Sequence, residues 1–308
     1  MDALYPPIEP HDSGVLDVGD GHHVYWETSG NPAGKPVVVL HGGPGAGTNP
    51  LQRRHFDPAA YRIVLVDQRG AGRSTPFADT RANTTWHLVA DLERLRAHLR
   101  IERWQLFGGS WGCVVALAYA QKHAERVSEI VLRGVFLLRD RELDWLYRGG
   151  AGNLFPEAWA EFLALVPPGE DPLAAYHRLL SGPDPMGAAV AWSSWEGATV
   201  SLLPSPATVA QYEDPRFAVP FARLALHYFV HRGWLEENQL IRDAHRLRGI
   251  PGVIVQGRYD AVCPPVSAWE LHRAWPDSVL RIIPSAGHAV ADPGVLAGLR
   301  AATDGFRR

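Results

Sequence analysis

The sequence predicts an α/β fold, a doubly wound and mostly parallel sheet with an inserted helical cap domain. Three observations predict it. Apolar runs of strand length alternate with loops and helix-period stretches as far as residue 134. The runs are continuous instead of alternating, Pro36-Val37-Val38-Val39-Leu40 foremost, as expected of strands covered on both faces. From about Val135 to Glu236 the rhythm stops, and aromatic-rich helical pieces take the place of strands before the sheet pattern resumes.

The elements follow in order. Val15–Val18, a Gly19-Asp20-Gly21 turn and His23–Thr28 read as a hairpin. Pro36–His41 is a buried strand that ends in His41-Gly42-Gly43-Pro44-Gly45, a loop that must come close to something. Arg62–Val66 is the next strand. The stretch that follows it, Asp67-Gln68-Arg69-Gly70-Ala71-Gly72-Arg73-Ser74, reads as a buried turn whose Arg and Asp tie neighbouring loops together. Leu88, Leu92, Leu95 and Leu99 recur at helical spacing and predict a helix from Thr84 to Leu99. Trp104 to Cys113 reads as a strand entering a very tight turn that opens a helix, and Glu129–Leu132 as a further strand. The sheet resumes at Gly252–Gly257 and Val279–Ile283, and a final helix runs from Pro293 to Phe306. Residues 1–134 and 237–308 are therefore expected to form the core, and 135–236 the cap.

A chain of 308 residues holds one such domain with an insertion. Its net charge of −3 gives no reason to expect nucleic acid or an anionic membrane as partner. The start, Met1-Asp2-Ala3-Leu4-Tyr5-Pro6-Pro7, lacks the basic and apolar segments of a signal peptide, and no run approaches membrane-spanning length. A cytoplasmic protein in which Cys113 and Cys263 are free thiols is the expectation.

The chemistry centres on Ser110, flanked by Gly108 and Gly112 in a G-x-S-x-G pattern. A serine on a sharp strand-to-helix turn has its hydroxyl lifted clear of the backbone, and the crowding asks for glycine two residues to either side. A serine hydroxyl needs a base, and the base an orienting acid. Asp260 follows the strand ending at Gly257, and His288 follows the last strand. The order Ser110, Asp260, His288, each in a loop after a strand, is the one such a fold uses. The N–H groups of Gly43 and Trp111 are expected to form the oxyanion hole. This chemistry calls for no metal or cofactor. His227 and His231 stand an (i, i+4) step apart, but no H-E-x-x-H accompanies them, so they read as a half-buried helix face. Cys113 reads as a small buried apolar residue. Cys263, three residues past Asp260, is expected near the site, where a thiol reagent would block activity.

Several stretches together resemble the proline iminopeptidases, serine peptidases of the α/β-hydrolase fold. They are Leu4–Pro10, His41-Gly42-Gly43-Pro44-Gly45, Asp67–Ser74, Asn83-Thr84-Thr85-Trp86, Gly108-Gly109-Ser110-Trp111-Gly112, Arg133-Gly134-Val135-Phe136, Trp195-Glu196-Gly197, Gly257-Arg258-Tyr259-Asp260 and Gly287-His288. The resemblance implies cleavage of an unsubstituted N-terminal proline from peptides. It implies a proline pocket walled by Trp111 and Phe136, with Gly42 on the substrate-binding loop and Glu196 holding the free amino group. It also implies a second cap glutamate, in a segment that here reads Ala222-Arg223-Leu224-Ala225-Leu226-His227-Tyr228-Phe229, where Ala225 takes that place. An aromatic is implied at Leu146 and is absent there. An esterase or amidase of the same fold is the alternative that Ala225 leaves open. A catalytically silent ligand-binding scaffold is a third, against which the intact serine, acid and base argue.

Overall fold

The computed structural model describes residues 4–307. Its eight strands are β1 (Pro10–Gly19), β2 (His22–Gly30), β3 (Lys35–Leu40), β4 (Tyr61–Val66), β5 (Trp104–Ser110), β6 (Val127–Val135), β7 (Gly252–Gly257) and β8 (Ser278–Ile283). They form one sheet in the order β1-β2-β4-β3-β5-β6-β7-β8. The predicted hairpin is β1 and β2. It is antiparallel, and β2 runs antiparallel to β4. From β4 to β8 every neighbouring pair is parallel.

The continuous apolar runs split cleanly between the two faces. Val38, Leu40, Val64, Val66, Leu106, Ile130 and Ile254 belong to one core, and Val37, Val39, Ile63, Leu65, Phe107, Val131 and Val255 to the other. Alternation along a strand sends successive side chains to opposite faces, so a strand covered on both must be apolar throughout. The first core takes α1 (Thr85–His98) and α2 (Trp111–Lys122) through Leu88, Leu92, Val114 and Leu117. The second takes the C-terminal helix, Pro293–Phe306, through Val295, Leu299 and Ala302.

β3 lies between β4 and β5, so the chain leaves β3 toward one side and returns on the other. Crevices of open α/β sheets form where the strand order reverses in this way. Leu40 pairs with Gly108, which sets the loop after β3 beside the turn after β5.

No strand lies between Val135 and Gly252 among the described residues. Six helices come first: α3 (Asp140–Tyr147), α4 (Pro156–Leu163), α5 (Pro172–Leu180), α6 (Met186–Val200), α7 (Pro206–Glu213) and α8 (Pro215–Val230). They meet the loops at the carboxyl ends of the strands. A Cβ placed on Gly45 would lie 2.5 Å from the Pro220 carbonyl oxygen, and one on Gly287 would lie 2.9 Å from the Leu202 nitrogen. Polar contacts fix the docking: Tyr228 donates to Asn83 Oδ1 (2.5 Å), and Trp145 Nε1 to the Ala261 carbonyl (2.8 Å). A short helix α9 (Gln239–Arg242) leads back to the sheet.

The structure adds α10 (Pro265–Ala274) between β7 and β8, ahead of α11 (Pro293–Phe306), an element the sequence pattern does not announce. Its buried residues are Ser267, Ala268 and Leu271, while Val266 and Trp269 are exposed. Two of the three buried positions carry small side chains and large ones face outward, which weakens the usual helical stripe.

Candidate active site

Ser110 closes β5 and caps α2 with φ 56° and ψ −123°. A positive φ is uncommon outside glycine and is typical of strained functional turns, costing of order 1–3 kcal/mol. Packing holds the turn there. A Cβ on Gly108 would lie 2.5 Å from the Gly112 carbonyl oxygen, and one on Gly112 would lie 2.1 Å from that of Leu40. Glycine at both places is thus a steric requirement of the turn. Among the described residues, Ser110 Oγ has no hydrogen-bond partner, so the hydroxyl is not used as a helix cap.

His288 Nδ1 lies 2.8 Å from Asp260 Oδ2, both groups buried. Arg133 Nη1 donates to His288 Nε2 (3.1 Å) and to the His288 carbonyl (2.9 Å). A guanidinium only donates, so Nε2 is the acceptor and the ring proton sits on Nδ1, facing Asp260. That is the tautomer a general base needs. Asp260 takes three further hydrogen bonds: Val262 N (3.1 Å) and Cys263 N (2.7 Å) on Oδ1, and Gln256 Nε2 (3.0 Å) on Oδ2. Gln256 is itself held by the Val135 N–H on its Oε1 (2.9 Å), and it also donates to the Cys263 carbonyl (2.9 Å). It ties the ends of β6 and β7 to the acid, and sequence reading passed over it. Its one signal was a polar residue in an otherwise apolar strand, Val253-Ile254-Val255-Gln256.

Gly42 lies against the serine turn. A Cβ on Gly42 would sit 3.3 Å from Ser110 Cβ and 3.9 Å from Ser110 Oγ. Among the described residues the N–H groups of Gly43 and Trp111 have no hydrogen-bond partner. The loop carrying Gly43 is pinned from below. His41 Nε2 accepts from the Gln68 N–H (3.0 Å), the Gln68 side-chain amide donates to the His41 carbonyl (3.0 Å), and Gln68 Oε1 accepts from Trp111 Nε1 (2.8 Å). His41 is buried, and desolvation pushes its pKa down, which keeps the ring neutral in this network. Gln68 is the second residue that sequence reading missed. Its neighbours Asp67 and Arg69 behave as predicted: Arg69 pairs with Asp91, and Asp67 with Arg73.

On the cap side, Phe136 packs edge-on against Phe229 (5.8 Å), Phe229 lies beside Tyr147 (5.6 Å), and Tyr147 stacks on Trp192 (4.4 Å). Glu196 is buried beside this cluster. Its Oε1 accepts from Tyr147 (2.5 Å) and from Trp192 Nε1 (3.1 Å), and Oε2 has no partner among the described residues. Burial pushes the Glu196 pKa up to about 7, with the two donors opposing. Leu146 is buried, and the next residue, Tyr147, is the aromatic that donates to Glu196. Ala225 is buried on α8 one turn before Phe229, with no side-chain group to help Glu196. The Trp111 ring is not brought into this cluster. Its plane is tilted against Tyr228 at 4.4 Å, and its N–H is committed to Gln68.

Cys113 is buried and donates weakly to the carbonyls of Gly108 and Arg133. Cys263 lies at the site, as expected, but is 3% exposed, and burial with Asp260 nearby holds its thiol well above the usual range. A protonated, shielded thiol reacts slowly, which corrects the expectation of ready blockage by thiol reagents. Asp260, Cys263 and His288 offer metal-ligand atoms within 4.8 Å of one another. The carboxylate is already saturated by hydrogen bonds, and the thiol is protonated, so the donor set suits a hydrogen-bonded acid–base pair better than a cation. His227 and His231 sit on a helix face, with His227 Nε2 on the Asn83 carbonyl (2.8 Å). No helix among the described residues is long and apolar enough to cross a membrane.

Known proteins resemble this chain over most of its length. Residues 35–294 match the model of the alpha/beta hydrolase fold family. A proline iminopeptidase of Xylella fastidiosa is 55% identical, over 99% of this chain and 100% of its own length. One from Arabidopsis thaliana is 51% identical over 98% of this chain and 81% of its own, and one from Neisseria gonorrhoeae 46% over 94% of each. Among solved structures, an esterase from Exiguobacterium antarcticum shares the fold with a TM-score of 0.69 at 21% identity, covering 96% of this chain and 100% of that one. On the strength of the full-length relatives and the family match, the chain belongs to the proline iminopeptidase family of α/β hydrolases.

Proposed function

We propose that the chain is a serine aminopeptidase that releases an unsubstituted N-terminal proline from peptides. Ser110 attacks the proline carbonyl, His288 takes the proton on Nε2, and Asp260 holds the imidazole on Nδ1–H. The N–H groups of Gly43 and Trp111 receive the developing oxyanion, a contribution worth about 10²–10³-fold in rate per donor. His288 then protonates the leaving amine, and water resolves the prolyl-enzyme with the same residues in reverse. Glu196 pairs with the substrate's ammonium, and the ring cluster of Phe136, Tyr147, Trp192 and Phe229 accommodates the pyrrolidine. Arg133 occupies His288 Nε2, so its guanidinium must turn aside before the imidazole takes the Ser110 proton.

The observation that carries this reading is the buried Glu196, with one oxygen unpartnered beside an aromatic cluster, in a chain whose full-length relatives are proline iminopeptidases. The test is a kinetic panel of proline arylamide, alanine arylamide and a short ester, run with wild type and Ser110→Ala. Proline arylamide is expected to lead, and Ser110→Ala to lose about 10⁴–10⁶-fold in kcat. A strong lead for the ester without proline preference makes the chain an esterase. Full activity in Ser110→Ala removes the catalytic assignment.

A further inference from the structure

A cavity of about 120 Å³ opens beside the serine turn, and none of the aromatic cluster lines it. Gly42 and Gly109 form its inner wall, and Leu51, His55, Phe107, Arg133, Val290 and Leu299 surround it. Gly42 ties it to the nucleophile, since a Cβ there would touch Ser110. Arg133 and Val290 tie it to the base: Arg133 donates to His288 Nε2 and to the His288 carbonyl, and Val290 follows His288 by two residues.

A serine hydrolase's imidazole hands its proton to the leaving amine, so the leaving part of the substrate departs on the imidazole's side of the serine. The acyl part, here proline, occupies the other side, where Phe136 and Glu196 stand. One wall of the cavity also holds an unsatisfied group. His55 is 4% exposed and stacks on Phe107 (5.4 Å), and its Nδ1 is buried with no hydrogen-bond partner. It is one of several such buried atoms among the described residues, and the one that belongs to this cavity's lining. A peptide main chain brings both donors and acceptors.

We propose that this cavity is the subsite for the side chain of the residue that follows proline, and that it takes a small or branched aliphatic one. The inference rests on the aminopeptidase reading and deepens it. Size sets the upper limit. A cavity of about 150 Å³ takes up benzene, so one of about 120 Å³ accepts a valine or leucine side chain and excludes an indole. Charge sets the second limit. The walls combine apolar side chains with the neutral polar groups of Asn49 and Gln52, and the one acid or base among them that is permanently charged is Arg133, which opposes a lysine.

The test uses prolinamide, whose leaving group is ammonia and has no side chain, against Pro-Val-NH₂, Pro-Leu-NH₂, Pro-Lys-NH₂ and Pro-Trp-NH₂. In wild type, kcat/KM is expected to favour Val and Leu over Lys and Trp by about tenfold or more, the discrimination typical of an apolar subsite. Val290→Trp, which fills the mouth, is expected to lower the ratio of kcat/KM for Pro-Leu-NH₂ to that for prolinamide by about tenfold. Leu51→Trp, on the opposite rim, gives the same reading if Val290→Trp does not fold. Prolinamide cleavage with no second-residue preference, and a ratio unmoved by either variant, overturns the subsite and leaves the aminopeptidase reading standing. A wild type that cleaves none of the prolyl substrates overturns both.

Discussion

Asp260 receives four hydrogen bonds, and the one from Gln256 links it to two strand ends at once. Removing the Gln256 side-chain amide leaves the Val135 N–H and the Cys263 carbonyl buried without partners and frees the carboxylate to tilt. Gln256→Leu is therefore expected to lower kcat by about 10- to 100-fold, the range typical of lost support for a functional group, with KM little changed. Steady-state kinetics on a proline arylamide read this directly. Glu196 gives a second expectation at this scale. Its pKa, raised to about 7 by burial, means that Glu196 is a mixture of acid and carboxylate near neutrality. Only the carboxylate pairs with an ammonium, so kcat/KM rises as pH passes up through about 7. Glu196→Gln is expected to move that limb and to cost about 1.5–3 kcal/mol of substrate binding, roughly 10- to 150-fold. The pH profiles of the two proteins separate the effects. Ser110, Asp260 and His288 stand out in the sequence because each sits where glycine marks off the end of an apolar strand. Gln68 and Gln256 were not, because a glutamine carries no local signal and its role comes from strands distant in sequence. Tyr147 was missed by one residue, since nothing in a helical stretch marks which neighbour turns toward Glu196.

At the scale of elements, α8 connects the inserted helices to the body of the molecule. Tyr228 and His227 both reach Asn83, one through its side chain and one through its carbonyl, while Phe229 on the same helix faces the ring cluster. The helix that closes the pocket is thus also the one that clamps the cap. Tyr228→Phe strips the partner from a buried amide oxygen and is expected to cost about 1–3 kcal/mol of stability. Urea unfolding reads it as a lower midpoint at unchanged slope. Strands were the most legible elements, because burial on both faces demands uninterrupted apolar runs. The (i, i+4) leucines of α1 and the boundaries of α11 were equally clear. α10 was invisible because small side chains pack inward there.

For the whole molecule, the reversal of strand order at β3 brings two loops far apart in sequence to one crevice, and six helices cover it. Periodicity alone predicted the layered sheet. It gave no sign of how the insertion closes the crevice, which depends on side chains meeting across long sequence separations, such as Pro220 against Gly45 and Leu202 against Gly287. The proposed asymmetry is the centre of the account: an apolar end where the buried Glu196 carboxylate takes the substrate's amino terminus. On the proposed reading a free amino group is a condition of turnover. The most direct measurement compares kcat/KM for a prolyl arylamide with that for its N-acetyl counterpart, on wild-type protein at pH 8. The account predicts that acetylation, which removes the charge and adds bulk against Glu196, abolishes cleavage to below about 1% of the free-amine rate, a loss of at least about 2.7 kcal/mol. Equal turnover of the two substrates would contradict it.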